Sequence, residues 1–207
     1  MKSVTERVYL TDFILACLAY CLFVGSDSIV KYLGSDYSIV QIIFVNSWFA
    51  LIPIVLYTQT LNGWRKLKKA NFTVHFFRAL TMALALFFGY TGFYRLPMVT
   101  MYSIVFLIPL MITIGSVFFL GEVVRWKRFT AILIGFIGAI ISINPFGTEY
   151  NNYIFLALFC PIFASASYLI VRKYGLKENL FSFLIYGKIL MLVFTGVFAL
   201  FLSLIHI

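Results

Sequence analysis

Runs of about twenty apolar residues, each closed by polar or basic positions, recur along the whole chain and set its fold before any single residue is weighed. Seven such runs predict seven spans: Asp12 to Leu33, Ser38 to Thr58, Thr73 to Tyr94, Pro97 to Leu120, Trp126 to Ile143, Tyr153 to Val171 and Phe181 to Phe201. Isolated strands cannot satisfy their backbone in lipid, and the strict alternation of a transmembrane barrel strand is absent. The pattern therefore predicts an all-α, polytopic membrane helix bundle of about seven spans, joined by short turns, with the lipid bilayer as its main solvent.

Composition agrees with this reading. At 63% hydrophobic and 11% charged residues, with a mean hydropathy of +1.02, the chain lies far outside the usage of soluble domains. A net charge of +9 would suit a nucleic-acid partner, but the basic residues sit in the turns between apolar runs, so no nucleic acid is expected. Counted on alternate sides, twelve fall together: Lys2, Arg7, Arg65, Lys66, Lys68, Lys69, Arg125, Lys127, Arg128, Arg172, Lys173 and Lys177. Lys31 and Arg95 alone fall opposite, and Arg78 and Lys188 lie within spans. The bias predicts a multi-pass protein of a bacterial-type inner (cytoplasmic) membrane with its N-terminus in the cytoplasm. Cys17, Cys21 and Cys160 lack other ligands at metal-binding spacing and read as small packing residues, so no metal and no cofactor is expected.

The chain also resembles itself. A gapless shift of 141 positions lays Leu15 on Leu156, Ala16 on Ala157, Ser26 on Ser167, Ile29 on Ile170, Val30 on Val171 and Gly34 on Gly175, and sets Lys31 against Arg172. Copies offset by five spans enter the membrane in opposite senses, which makes an inverted-topology repeat. Residues 1–147 then form a first five-helix repeat, and residues 148–201 form two helices of an incomplete second one. The last six residues, Leu202-Ser203-Leu204-Ile205-His206-Ile207, match the translation of the mosaic-end adapter of transposase-made sequencing libraries, so 202–207 are set aside as an adapter scar.

Arg78-Ala79-Leu80, Tyr94-Arg95-Leu96-Pro97, Pro109-Leu110, Phe119-Leu120-Gly121-Glu122 and Gly135-Phe136-Ile137-Gly138 before Asn144-Pro145 follow one another in an order and spacing that resembles the EamA domain of the drug/metabolite transporter superfamily. Asp27-Ser28-Ile29-Val30-Lys31-Tyr32-Leu33 with Gln41-Ile42-Ile43-Phe44 is similar to the branch that includes S-adenosylmethionine uptake carriers. Asn46 departs from that branch, which more often carries Arg there. The resemblance implies ten helices in two inverted repeats. It implies a C-terminally truncated chain that lacks the last three helices and is inactive alone, a small-molecule solute as partner, and room for a homodimer.

Several residues within spans are candidates for the solute path. Asp27, in the outer third of the first span, either pairs with Lys31 one turn on or has a solute-facing or proton-carrying role. Asn46, Arg78 and Lys188 are further polar groups set into apolar runs, although Arg78, His75 and Lys188 could also reach the inner surface. Pro109 interrupts the fourth span and frees a carbonyl, and with Tyr102 and Ser103 it makes that span a candidate wall. Glu122 and Arg125 read as an interfacial ion pair, and Gly135, Gly138 and Ala139 as a smooth packing face.

The absence of a G-x-x-x-x-G-K loop excludes direct ATP use through such a site, and no nucleophile or carboxylate cluster points to an enzyme. A secondary transporter of a small metabolite (amino acid, nucleoside-like or drug-like solute) working by alternating access is the expectation. A membrane-embedded enzyme or a non-transporting membrane subunit is the alternative.

Overall fold

A computed structural model describes residues 2–60, 71–123, 125–143, 152–175 and 178–205. Every predicted run is helical: α1 (Lys2–Leu33), α2 (Ile39–Thr60), α3 (Phe72–Arg95), α4 (Met98–Val105), α5 (Ile108–Leu120), α6 (Trp126–Ile143), α7 (Tyr153–Ala157), α8 (Phe159–Tyr174) and α9 (Leu180–Ile205). Six stretches are long and apolar enough to cross a membrane, with α4 and α5 counting as one crossing and α7 and α8 as another. The apolar part of α6, Phe129–Ile141, is shorter. The bundle is thus all-helical and polytopic, as the hydropathy pattern requires. Of the suspected adapter scar, His206 and Ile207 lie outside the described residues, as do the basic residues Arg65, Lys66, Lys68, Lys69 and Lys177.

Proline explains both broken crossings. Pro109 stands second in α5 and has no N–H for the carbonyl of Val105, so the helix parts at Phe106–Leu107. Pro161 likewise cannot donate to Ala157, and the chain turns at Leu158 between α7 and α8. Pro161 is almost fully buried, and the sequence reading missed it although a proline inside a predicted span was visible there. Gly121 ends α5 with φ at 67°, a left-handed cap that L side chains resist.

Contacts between helix ends fix the direction of each crossing. At one end, called basal here, the carboxylate of Glu178 before α9 accepts the Asn71 N–H at the start of α3, 3.0 Å away. Arg172 at the end of α8 pairs with Glu122 after α5 at 2.9 Å. At the distal end, Gly34 after α1 lies against the Tyr94 ring, and the Arg95 guanidinium sits 5.1 Å over the Tyr153 ring at the start of α7. Hence α1 and α3 run from basal to distal, and the α7–α8 crossing runs back.

Helix α3 is the axis of the bundle, packed against α1, α2, α7, α8 and α9, while α6 lies outside against α4 and α5. Phe93, Leu96, Met101, Ile104, Ile154, Ala157 and Cys160 close the distal core around the α4 and α7 breaks. Val30, Ile42, Ile43, Tyr90 and Met191 form a second cluster. Lipid is as apolar as leucine, so these clusters hold by close packing rather than by escape from water, and polar ties between helices gain weight. Cys17 and Cys21, expected as packing residues, lie exposed on α1; Cys160 is buried as expected. Helix α1 packs mainly against α3 and leaves most of its side chains exposed.

Candidate functional site

Polar side chains gather at two levels of this apolar bundle. The first lies toward the distal end. Asp27 stands six residues before the end of α1, roughly 9 Å along its axis, and its carboxylate accepts the Tyr102 hydroxyl from α4 at 2.9 Å. Asn46 of α2 donates its amide to the Tyr90 hydroxyl of α3 at 3.3 Å. These two hydrogen bonds bring polar groups of α1, α2, α3 and α4 into the distal half of the bundle. Beside it a groove of about 760 Å³ opens between α1 and α2, lined by Ser26, Tyr37, Gln41 and Asn46 among apolar side chains. That size suits a metabolite.

Lys31 does not pair with Asp27. Its ammonium donates to the carbonyl oxygens of Leu96, at 2.7 Å, and Phe93, at 3.4 Å. The cause is in the sequence. The residue four beyond Phe93 is Pro97, which has no N–H to offer, so the end of α3 presents orphan carbonyls at the negative end of its dipole. Lys31 satisfies them, and among the described residues Asp27 has no cation within ion-pair distance. Among the described residues its direct hydrogen-bond partner is the hydroxyl of Tyr102.

The second level is basal. His75, with no exposed surface, places Nε2 3.2 Å from Glu178 Oε2, and its ring meets Phe183 edge-on and lies beside Tyr186. Three residues on, Arg78 donates from Nη1 to the Phe183 carbonyl at 2.8 Å. Arg78 and Lys188 together line a cavity of about 100 Å³ between α2, α3 and α9. Glu178 escaped the sequence reading because it lies in a short polar turn, 103 positions from the histidine it meets.

The remaining candidates fall elsewhere. The Ser103 hydroxyl turns back to the Val99 carbonyl at 2.9 Å, and Pro109 is exposed on the far side of its break. Glu122 pairs with Arg172 rather than with Arg125, because the left-handed turn at Gly121 directs it toward α8. A crevice of about 840 Å³ between α5 and α6 exceeds the groove in size, but its lining is almost wholly apolar and contains none of the predicted path residues. Its chemistry is that of a lipid-facing seam.

A helical bundle with polar groups set at two levels inside it has the make-up of a membrane carrier, and comparison with known proteins places it. Residues 11–144 match the EamA-like transporter family, and the chain belongs to that family. It is 31% identical over 190 residues to the S-adenosylmethionine uptake transporter of Rickettsia conorii, covering 88% of this chain and 62% of that protein. It is 25% identical over 177 residues to the riboflavin transporter of Vibrio cholerae, covering 84% of this chain and 59% of the relative. With the pseudopaline exporter of Pseudomonas aeruginosa it shares 21% over 174 residues, 84% of this chain and 61% of the other. The chain therefore spans about three-fifths of the length of these relatives. No solved structure matches it.

Proposed function

We propose that this chain serves in a secondary carrier that moves a small metabolite across the cytoplasmic membrane of a bacterium and leaves it chemically unchanged. The observation that carries the reading is the distal polar cluster: a carboxylate without a cation partner among the described residues, two tyrosine hydroxyls and an amide, brought by four helices to the side of a metabolite-sized groove. Polar groups are costly at membrane depth and mark solute or ion paths by default. Family membership supports the same reading, and the relatives are named as an uptake transporter, a transporter and an exporter.

The candidate path is Asp27, Tyr102 and Asn46, with Lys31 bracing the distal rim. Alternating access by two inverted repeats completes the proposal. It is supported by the opposed directions of α1 and the α7–α8 crossing, which the 141-position shift aligns. Lys31 and Arg172, matched by that shift, sit at opposite ends of the bundle, each tied to the end of a neighbouring helix.

The test is movement of solute. Cells expressing the whole carrier in which this chain serves should take up or expel at least one of labelled S-adenosylmethionine, riboflavin, amino acids or nucleosides faster than vector controls. Conversion of a labelled solute with no net movement would overturn the carrier reading. Orientation has its own check. The basal end carries Arg125, Lys127, Arg172 and Lys173, so it should face the cytoplasm. In a variant without native cysteines, Arg125→Cys should react with a membrane-impermeant maleimide in inside-out vesicles and stay unlabelled in intact cells. The reverse pattern would invert the topology.

A further inference from the structure

The basal cavity is chemically unlike the groove above it. Two cations line it, Arg78 from α3 and Lys188 from α9, and the rest of its wall is Gly187 and apolar side chains such as Ile54, Met82 and Met191. No carboxylate takes part. Glu178, the acid nearest in the sequence of α9, is committed to His75 and the Asn71 N–H. Arg78 gives one N–H to the Phe183 carbonyl, but its buried Nε–H has no acceptor. Among the described residues Lys188 has no acceptor within hydrogen-bond distance, and it shares the cavity wall with Arg78.

Like charges in a low-dielectric interior repel strongly, and unpaired ones are retained at membrane depth where a pathway needs them. The backbone is fitted to the arrangement: a side chain at Gly187 would strike Arg78 Nη1, so glycine there lets the guanidinium lie against α9. Arg78 stands six residues into α3 and Lys188 eight into α9, roughly 9 and 12 Å from the basal helix ends.

We propose that this cavity is an anion subsite that takes the carboxylate or phosphate group of the transported solute, an inference that rests on the carrier function above. Arginine and lysine are the side chains suited to such groups through charge-assisted hydrogen bonds. A volume of about 100 Å³ admits one such group and not a whole metabolite, so the body of the solute lies outside the cavity. The ammonium of Lys188 supplies the free donor, and the guanidinium of Arg78 the second positive charge.

The test is calorimetric titration of the chain, held in phosphatidylcholine nanodiscs, with inorganic phosphate and with succinate at constant ionic strength. Saturable binding is expected. It should weaken at least about tenfold in Lys188→Met, as loss of one charge-assisted hydrogen bond implies, recover in Lys188→Arg, and persist in the exposed basal control Lys173→Gln. Absence of saturable binding, or equal binding in Lys188→Met, overturns the subsite. A headgroup source is tested by nanodiscs with added phosphatidylglycerol: if that lipid abolishes phosphate binding in the parent chain, the site holds lipid and the solute assignment fails. Binding without uptake in cells sinks the carrier reading alone, whereas uptake without binding sinks the subsite alone.

Discussion

Asp27→Asn is expected to cut the initial rate of solute uptake at least about tenfold while the amount of protein in the membrane stays unchanged. The substitution keeps shape and keeps an oxygen that can accept the Tyr102 hydroxyl, so the α1–α4 tie survives. What disappears is the negative charge, and hydrogen bonds to charged groups contribute about 1.5 to 3 kcal/mol, equivalent to roughly tenfold or more in rate or affinity. A carboxylate that merely braced two helices would tolerate the change. Tyr102→Phe, which removes the hydroxyl and leaves the charge, should impair uptake less. Rates are to be measured with whichever labelled solute the uptake screen identifies, normalised to membrane-inserted protein. Asp27→Asn moving solute at the parent rate would remove Asp27 from the path.

The largest loss of stability is expected at the other end of the bundle, from Glu178→Ala. Glu178 accepts from the Asn71 N–H and meets His75 Nε2, and it sits beside the N-termini of both α3 and α9, where negative charge is favoured. Removing it leaves a fully buried imidazole with no partner on either nitrogen, since Nδ1 already lacks one. Stranding buried polar groups costs about 1 to 3 kcal/mol each, so a destabilisation of roughly 2 to 3 kcal/mol should appear as a lower unfolding temperature in detergent. Glu178→Gln, which still accepts hydrogen bonds, should lose about half as much. An unchanged unfolding temperature for Glu178→Ala would show that α3 and α9 are joined by other contacts.

The crossings were legible because hydropathy is a local property: twenty apolar residues in a row announce a span without knowledge of its neighbours. Asp27, Asn46 and Tyr102 could be named for the same reason, as polar positions inside apolar runs. Their partners could not. The spacing of Asp27 and Lys31 fits a pair on one helix, yet the orphan carbonyls of α3 compete for the ammonium and win, a contest that requires knowing that α1 and α3 end side by side. Glu122 and Arg125 were misjudged likewise, because a three-residue separation matters less than the turn at Gly121. The break at Pro161 was within reach of the same argument that singled out Pro109. Glu178 was beyond it, since nothing in a short polar turn tells that a buried histidine awaits it.

The central helix has a mechanical consequence. Arg78 near its foot and Tyr90 higher up lie on one uninterrupted rod, twelve residues or roughly 18 Å apart, without a proline between them. A tilt of that rod displaces both polar levels together and in fixed proportion, as a lever carries its two arms. Groups that grip a solute at one level are thereby geared to those at the other, with no relay of side chains required.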